Sequence, residues 1–90
     1  MLFMVITTYE VEKRDEVMKR MMEKGRMTPA GMKMIGQWSA IGGGRGFTLV
    51  EVGDDPKVAL AGTIAWSDLL KLEVVPVIET EEVMKFMQSR

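Results

Sequence analysis

Neither histidine nor cysteine occurs among the 90 residues, so no zinc centre, thiol nucleophile, disulfide or Ser-His pair can be built. Proton transfer would fall to a carboxylate or to Tyr9, the one tyrosine. A carboxylate placed in an apolar pocket has its pKa raised by desolvation, the usual route to a base in a protein without histidine. Glu73 and Glu51, in stretches that read as strands, are the acids to consider for that task. Tyr9, Arg26, Trp38 and Trp66 are the side chains that would orient a small ligand in a pocket between sheet and helices or at a subunit seam. Each has a plainer role as well: aromatic residues at element ends fill cores, and charged residues near strands reach solvent or pair.

Three other constellations reduce to structure. Gly42-Gly43-Gly44-Arg45-Gly46 has the look of a phosphate cradle, but such loops must lead into a helix whose amides face the anion, and this one leads into a strand; a mobile hairpin tip is expected. Ten methionines, with Met18, Met21, Met22, Met32 and Met34 at ligand-like spacing, suggest copper. No histidine or cysteine assists them, and the same positions fall at core periods, so adaptable packing at a dimer interface is the expected role. Glu51, Asp54 and Asp55 lie close together but lack calcium-loop spacing, and the aspartates are better explained as helix caps. No metal and no cofactor is expected.

The elements that would position these residues follow from periodicity. Leu2 to Thr8 is a strand apolar on both faces, which calls for cover on both sides. From about Glu12 to Lys24 the apolar spacing becomes helical, through Val17, Met18, Met21 and Met22, and Gly25 is the expected left-handed C-cap. Pro29 prevents the helix from continuing through the connection Arg26 to Gly31. Met32 to Trp38 and Phe47 to Val52 form a hairpin around Ala40 to Gly46. Asp54-Asp55-Pro56 opens a second helix that carries Val58, Ala61, Ala65 and Leu69 to near Leu70. Leu72 to Ile78 is a fourth strand, placed at an edge by Pro76. Thr80 caps a terminal helix through Gln88, with Val83, Met84 and Met87 as its apolar side.

The order is β-α-β-β-α-β plus a terminal helix, an α+β chain of the ferredoxin-like, split βαβ type with an antiparallel four-stranded sheet, in one domain over residues 1–90. Right-handed crossovers put both helices on one face of the sheet. The other face stays apolar and bare, an aggregation liability in a monomer, so a homodimer packed sheet on sheet is expected. Charge is divided unevenly: residues 1–45 hold eight basic and five acidic side chains, residues 46–90 four and eight, for a net charge of -1. That balance excludes a nucleic-acid coat, which needs clustered cations. The opening MLFMVITTYE has no basic n-region, and no run approaches the roughly 18 apolar residues that span a bilayer, so a cytoplasmic protein without membrane partners is expected.

The opening Met1-Leu2-Phe3-Met4-Val5-Ile6, Glu23-Lys24-Gly25-Arg26-Met27 with Pro29 and Gly31, Trp38 at the end of the second strand, Phe47 to Glu51 followed by Asp54-Asp55-Pro56, and Trp66-Ser67-Asp68-Leu69 leading to Glu73-Val74-Val75-Pro76-Val77 together resemble the small bacterial and archaeal domains of unknown function of the dimeric α/β barrel superfamily. The resemblance covers nearly the whole chain and implies fold and dimer, but no reaction. Gly42 to Gly46 departs from the more polar loop of that family, so no role of that loop carries over. A weaker similarity is to the muconolactone isomerases, whose histidine before the third strand and whose decameric tail are missing. Fold alone does not transmit function. The expectation is a non-catalytic dimeric module that binds a small apolar or weakly acidic ligand, or only itself. The alternative is a cofactor-independent isomerase or monooxygenase with a carboxylate or Tyr as acid/base.

Overall fold

The computed structural model describes residues 1–90. Strand β1 spans Leu2–Thr8, and a short 3-10 turn over Val11–Lys13 leads into helix α1, Arg14–Lys24. Strands β2 (Met32–Ser39) and β3 (Arg45–Val52) follow, then helix α2 (Pro56–Ile64), strand β4 (Lys71–Val77) and helix α3 (Thr80–Gln88). The chain is thus α+β, with one antiparallel sheet in the order β2-β3-β1-β4 and three helices. Pro76 lies in edge strand β4, where its missing N–H costs no ladder bond on the unpaired side.

Register fixes the two faces of the sheet. Val5 stands opposite Thr48 and Val74, Phe3 opposite Val50 and Pro76, and Met34 opposite Val50, and these residues face α1 and α2. Leu2, Met4 and Ile6 point the other way, with Phe47 and Leu49 of β3 and Val75 and Val77 of β4. Only four of the 90 residues are buried, Val17, Val50, Val52 and Trp66, and their strand members belong to the helix-covered face. On the opposite face no side chain is buried, so within one chain β1 has cover on one side only.

The helices show why local chemistry sets boundaries. Asp55 is the N-cap of α2: its carboxylate accepts from the Lys57 amide at 3.0 Å, with Pro56 at the first helical position. This helix ends at Ile64, six residues short of the expected Leu70. Past it the chain tightens into i→i+3 turns, Trp66 to Thr63 and Ser67 to Ile64, while the Thr63 and Ser67 hydroxyls donate to the Leu60 and Ile64 carbonyls and compete with the helical ladder. Gly25 closes α1 with its amide on the Met21 carbonyl, but at φ 69° and ψ -162°, a glycine-only region rather than the left-handed helical one. Thr80 is the first residue of α3 and not its cap; Glu79 holds the cap position without a side-chain bond. All of α3 is exposed, including Val83, Met84, Phe86 and Met87. The Cα radius of gyration is 14.9 Å, against about 12 Å for a compact chain of this length.

Candidate functional site

A cavity of about 140 Å³ lies between the sheet and the two crossover helices. Voids of this size admit a benzene-sized molecule when the lining is apolar. Its apolar wall comes from Val5 of β1, Val17, Met18 and Met21 of α1, Met32 and Met34 of β2, Val50 of β3, and Trp66, Leu70 and Leu72. Polar groups enter from Thr7, Tyr9, Arg26, Gln37, Ser39, Arg45, Thr48 and Thr63, and no acidic residue lines it. Five of the ten methionines, Met18, Met21, Met27, Met32 and Met34, are therefore cavity-lining side chains. The expected place for Met18, Met21, Met22, Met32 and Met34 is the dimer interface; on the open face of the sheet stands Met4, which is not one of them.

The connection Gly25 to Gly31 forms part of the wall through Arg26, Met27, Thr28 and Pro29. The Trp66 indole N–H donates to the Arg26 carbonyl at 3.1 Å, and Arg26 Nε donates to Gln37 Oε1 at 2.7 Å. Arg26 makes no ion pair, and its two terminal nitrogens have no protein acceptor. Met27 sits at φ 53°, the one non-glycine residue in the left-handed region, between Gly25 at 69° and Gly31 at 89°. A strained residue in a wall tied down at both sides fits a pocket whose shape is specified rather than incidental.

The structure brings Tyr9, Arg26 and Trp66 to this one cavity. Trp38 of β2 is also among the residues that line it. A bulge at Ile35 shifts the β2–β3 register between Met34 and Gly36, which turns Gln37 and Ser39 inward and the Trp38 ring outward, over Gly36. Glu73 is opposite Ile6 and Glu51 opposite Leu2 and Lys33, so both carboxylates stand on the sheet face away from the cavity. Arg45, at the end of β3 opposite Thr8, has its guanidinium 5.1 Å from the Phe47 ring centre and also borders the cavity. Gln37 and Thr48 are the cavity residues that sequence alone does not indicate, because the bulge that orients Gln37 has no marker beyond Gly36 itself.

Next to the cavity wall, Arg20 of α1 donates two hydrogen bonds of 2.6 Å to the Asp68 carboxylate and one of 3.3 Å to the Ala65 carbonyl. Hydrogen bonding to Arg20 holds the Asp68 carboxyl down to about 2, and the same bond raises the Arg20 guanidinium further above its ordinary value. Arg20 also lies 5.6 Å from the centre of the Trp66 ring. The cluster fixes Trp66, which in turn fixes Arg26. No group of three or more carboxylates comes close enough to hold a metal ion.

An α+β domain with an apolar cavity under its crossover helices is the class that fold and site define. The whole chain, residues 1–90, matches the family described as Domain of unknown function (DUF3303), and the protein belongs to that family. No curated protein matches the chain, and no solved structure does. No helix is long and apolar enough to cross a membrane.

Proposed function

We propose that the protein is a non-catalytic, cytoplasmic homodimer of the ferredoxin-like, dimeric α/β barrel kind, and that each subunit binds a small apolar, weakly acidic molecule in the cavity beneath α1 and α2. The carrying observation is the cavity itself: apolar walls, a guanidinium with free donors at Arg26, and no acidic residue anywhere in the lining. Cations at Arg26 and Arg45 beside an apolar void favour a ligand with an anionic group and a hydrophobic body. The strand order β2-β3-β1-β4, with both helices lining one cavity on one face, supports a split βαβ arrangement and leaves a sheet face for a second subunit. A reading as a cofactor-independent isomerase or monooxygenase would have to rest on Tyr9, since Glu51 and Glu73 point away.

A thermal-shift panel of benzoate-sized carboxylates, each beside its uncharged isostere, tests the binding reading. Carboxylates raise Tm more than their isosteres in the parent protein, and Arg26→Ala removes that difference while keeping the response to the isosteres. A panel in which no compound shifts Tm overturns it.

A further inference from the structure

We infer that α3 is an exchanged arm, docking its apolar stripe on the open sheet face of a second copy of this chain. The inference rests on the homodimer reading above and adds to it the part that holds the pair together.

Helix α3 has no partner within its own chain. Nine residues are fewer than the roughly 12–15 that a helix needs to persist in water without tertiary packing. Every residue of α3 is exposed, with no side-chain cap at Glu79 to help. Its sequence is nonetheless strongly amphipathic. Val83, Met84, Phe86 and Met87 share one side and are 42–65% exposed, while Glu81, Glu82 and Lys85 take the other. A helix this short and this two-sided is written for a surface that the protomer does not supply.

The protomer displays one such surface, equally unpartnered. Leu2, Met4, Ile6, Leu49, Val75 and Val77 form an apolar field on the face away from α1 and α2, and none of them is buried. At one end Arg45 and Lys71 flank Thr8 in register, and the same face also carries Glu73 opposite Ile6 and Glu51 opposite Leu2. The first turn of α3 is acidic, with Glu79, Glu81 and Glu82. The two surfaces therefore match in apolar character, and the acidic turn has cationic partners at the Arg45–Lys71 end. The acidic turn also argues against a lipid occupant, since helices that lie on membranes carry Lys and Arg on their polar side.

Area points the same way. Four strands of seven or eight residues make a face roughly 19 by 23 Å, on the order of 400 Å². A stable dimer buries about 800 Å² on each partner. Face-to-face pairing of sheets alone falls short, and an arm from each copy closes the gap. Exchange also accounts for the elongated protomer, 50 × 30 × 17 Å, whose excess length is useful only when another copy lies under it.

Sedimentation of the full chain across the micromolar range, together with amide hydrogen exchange along α3, tests the arm. The expected result is a dimer whose dissociation constant rises about tenfold or more in the Phe86→Asp, Met87→Asp double variant. Exchange protection over Val83 to Met87 falls on dilution in step with dissociation. Both substituted side chains are exposed in the protomer, so the variant retains the strand signal in circular dichroism. A full chain that stays monomeric overturns the homodimer reading and the arm with it. A dimer of unchanged affinity in the double variant, with unprotected α3 amides, leaves sheet pairing standing and overturns the arm alone. Protection of α3 that appears only on adding phosphatidylcholine vesicles overturns it too, in favour of a lipid surface.

Discussion

Arg20 and Asp68 face one another between α1 and the turns that follow α2, the guanidinium giving 2.6 Å hydrogen bonds to both carboxylate oxygens. The two residues are 48 apart in sequence, so the pair closes a long loop between elements that otherwise meet only through side chains over the cavity. Arg20 is the more enclosed partner, 24% exposed against 61% for Asp68, because its stem and plane lie beside Trp66.

Acid titration should expose this clamp. The Asp68 carboxyl is at about 2 in the folded protein against 3.8 when unpaired. A folded-state pKa below the unfolded one gives stability that is complete above the unfolded value and is lost as pH falls through the folded one. Melting temperature should therefore decline between pH 4 and pH 2, and Asp68→Asn should flatten that part of the profile. Because the carboxylate is largely exposed, molar salt at neutral pH should weaken the same contribution. A parent and variant with superimposable acid profiles would show that the pair contributes nothing to folding.

Trp66→Phe keeps an aromatic ring in the wall and removes the indole N–H that serves the Arg26 carbonyl. That carbonyl loses its donor in a partly buried place, at a cost of about 1–2 kcal/mol. Urea denaturation should show the loss. Hydrogen exchange should rise at Met27 and Thr28, whose conformation the bond secures. Unchanged exchange in that segment would mean that the Arg26–Gln37 bond is sufficient to hold it.

Asp55→Ala tests the one cap that is made by a side chain. Losing the acceptor for the Lys57 amide should cost about 1 kcal/mol by chemical denaturation, and Asp55→Ser should restore most of it. Equal loss in both variants would mean that Pro56 alone starts the helix.

How legible the molecule was depended on whether a signal was local. Strand boundaries, the Asp55-Pro56 start and the edge place of Pro76 depend on neighbours in sequence, and the structure has them close to where periodicity and turn chemistry put them. The end of α2 was misplaced because Val58, Ala61, Ala65 and Leu69 keep helical spacing after the backbone has turned. The Thr63 and Ser67 hydroxyl bonds compete with the helix there, and the indole bond to Arg26, 40 residues away, holds the chain where it leaves. Residue type suggests Trp38 for the pocket, but the direction of its ring depends on the single extra residue at Ile35, which shifts the alternation of β2. Tyr9, Arg26 and Trp66 could be guessed as a set from residue type. Glu73 could not be kept with them, because its face is decided by pairing with Ile6.

Gly62→Ala separates the cavity from the rest of the fold. Gly62 sits inside α2 with ordinary helical φ, so alanine should gain up to about 1 kcal/mol of helix propensity. Its methyl would come to 3.2 Å from Met32 Cε and 3.7 Å from Pro29 Cδ. The methionine end is flexible and can give way, but Met32 lines the cavity, and the room it gives way into belongs to the ligand. The variant should therefore melt at or slightly above the parent temperature while responding less to benzoate-sized carboxylates. Loss of stability without a change in ligand response would mean that Met32 is held rigidly and that the ligand does not occupy the space beneath α2. The reverse pattern requires a ligand in that space, since Gly62 touches nothing on the open face of the sheet.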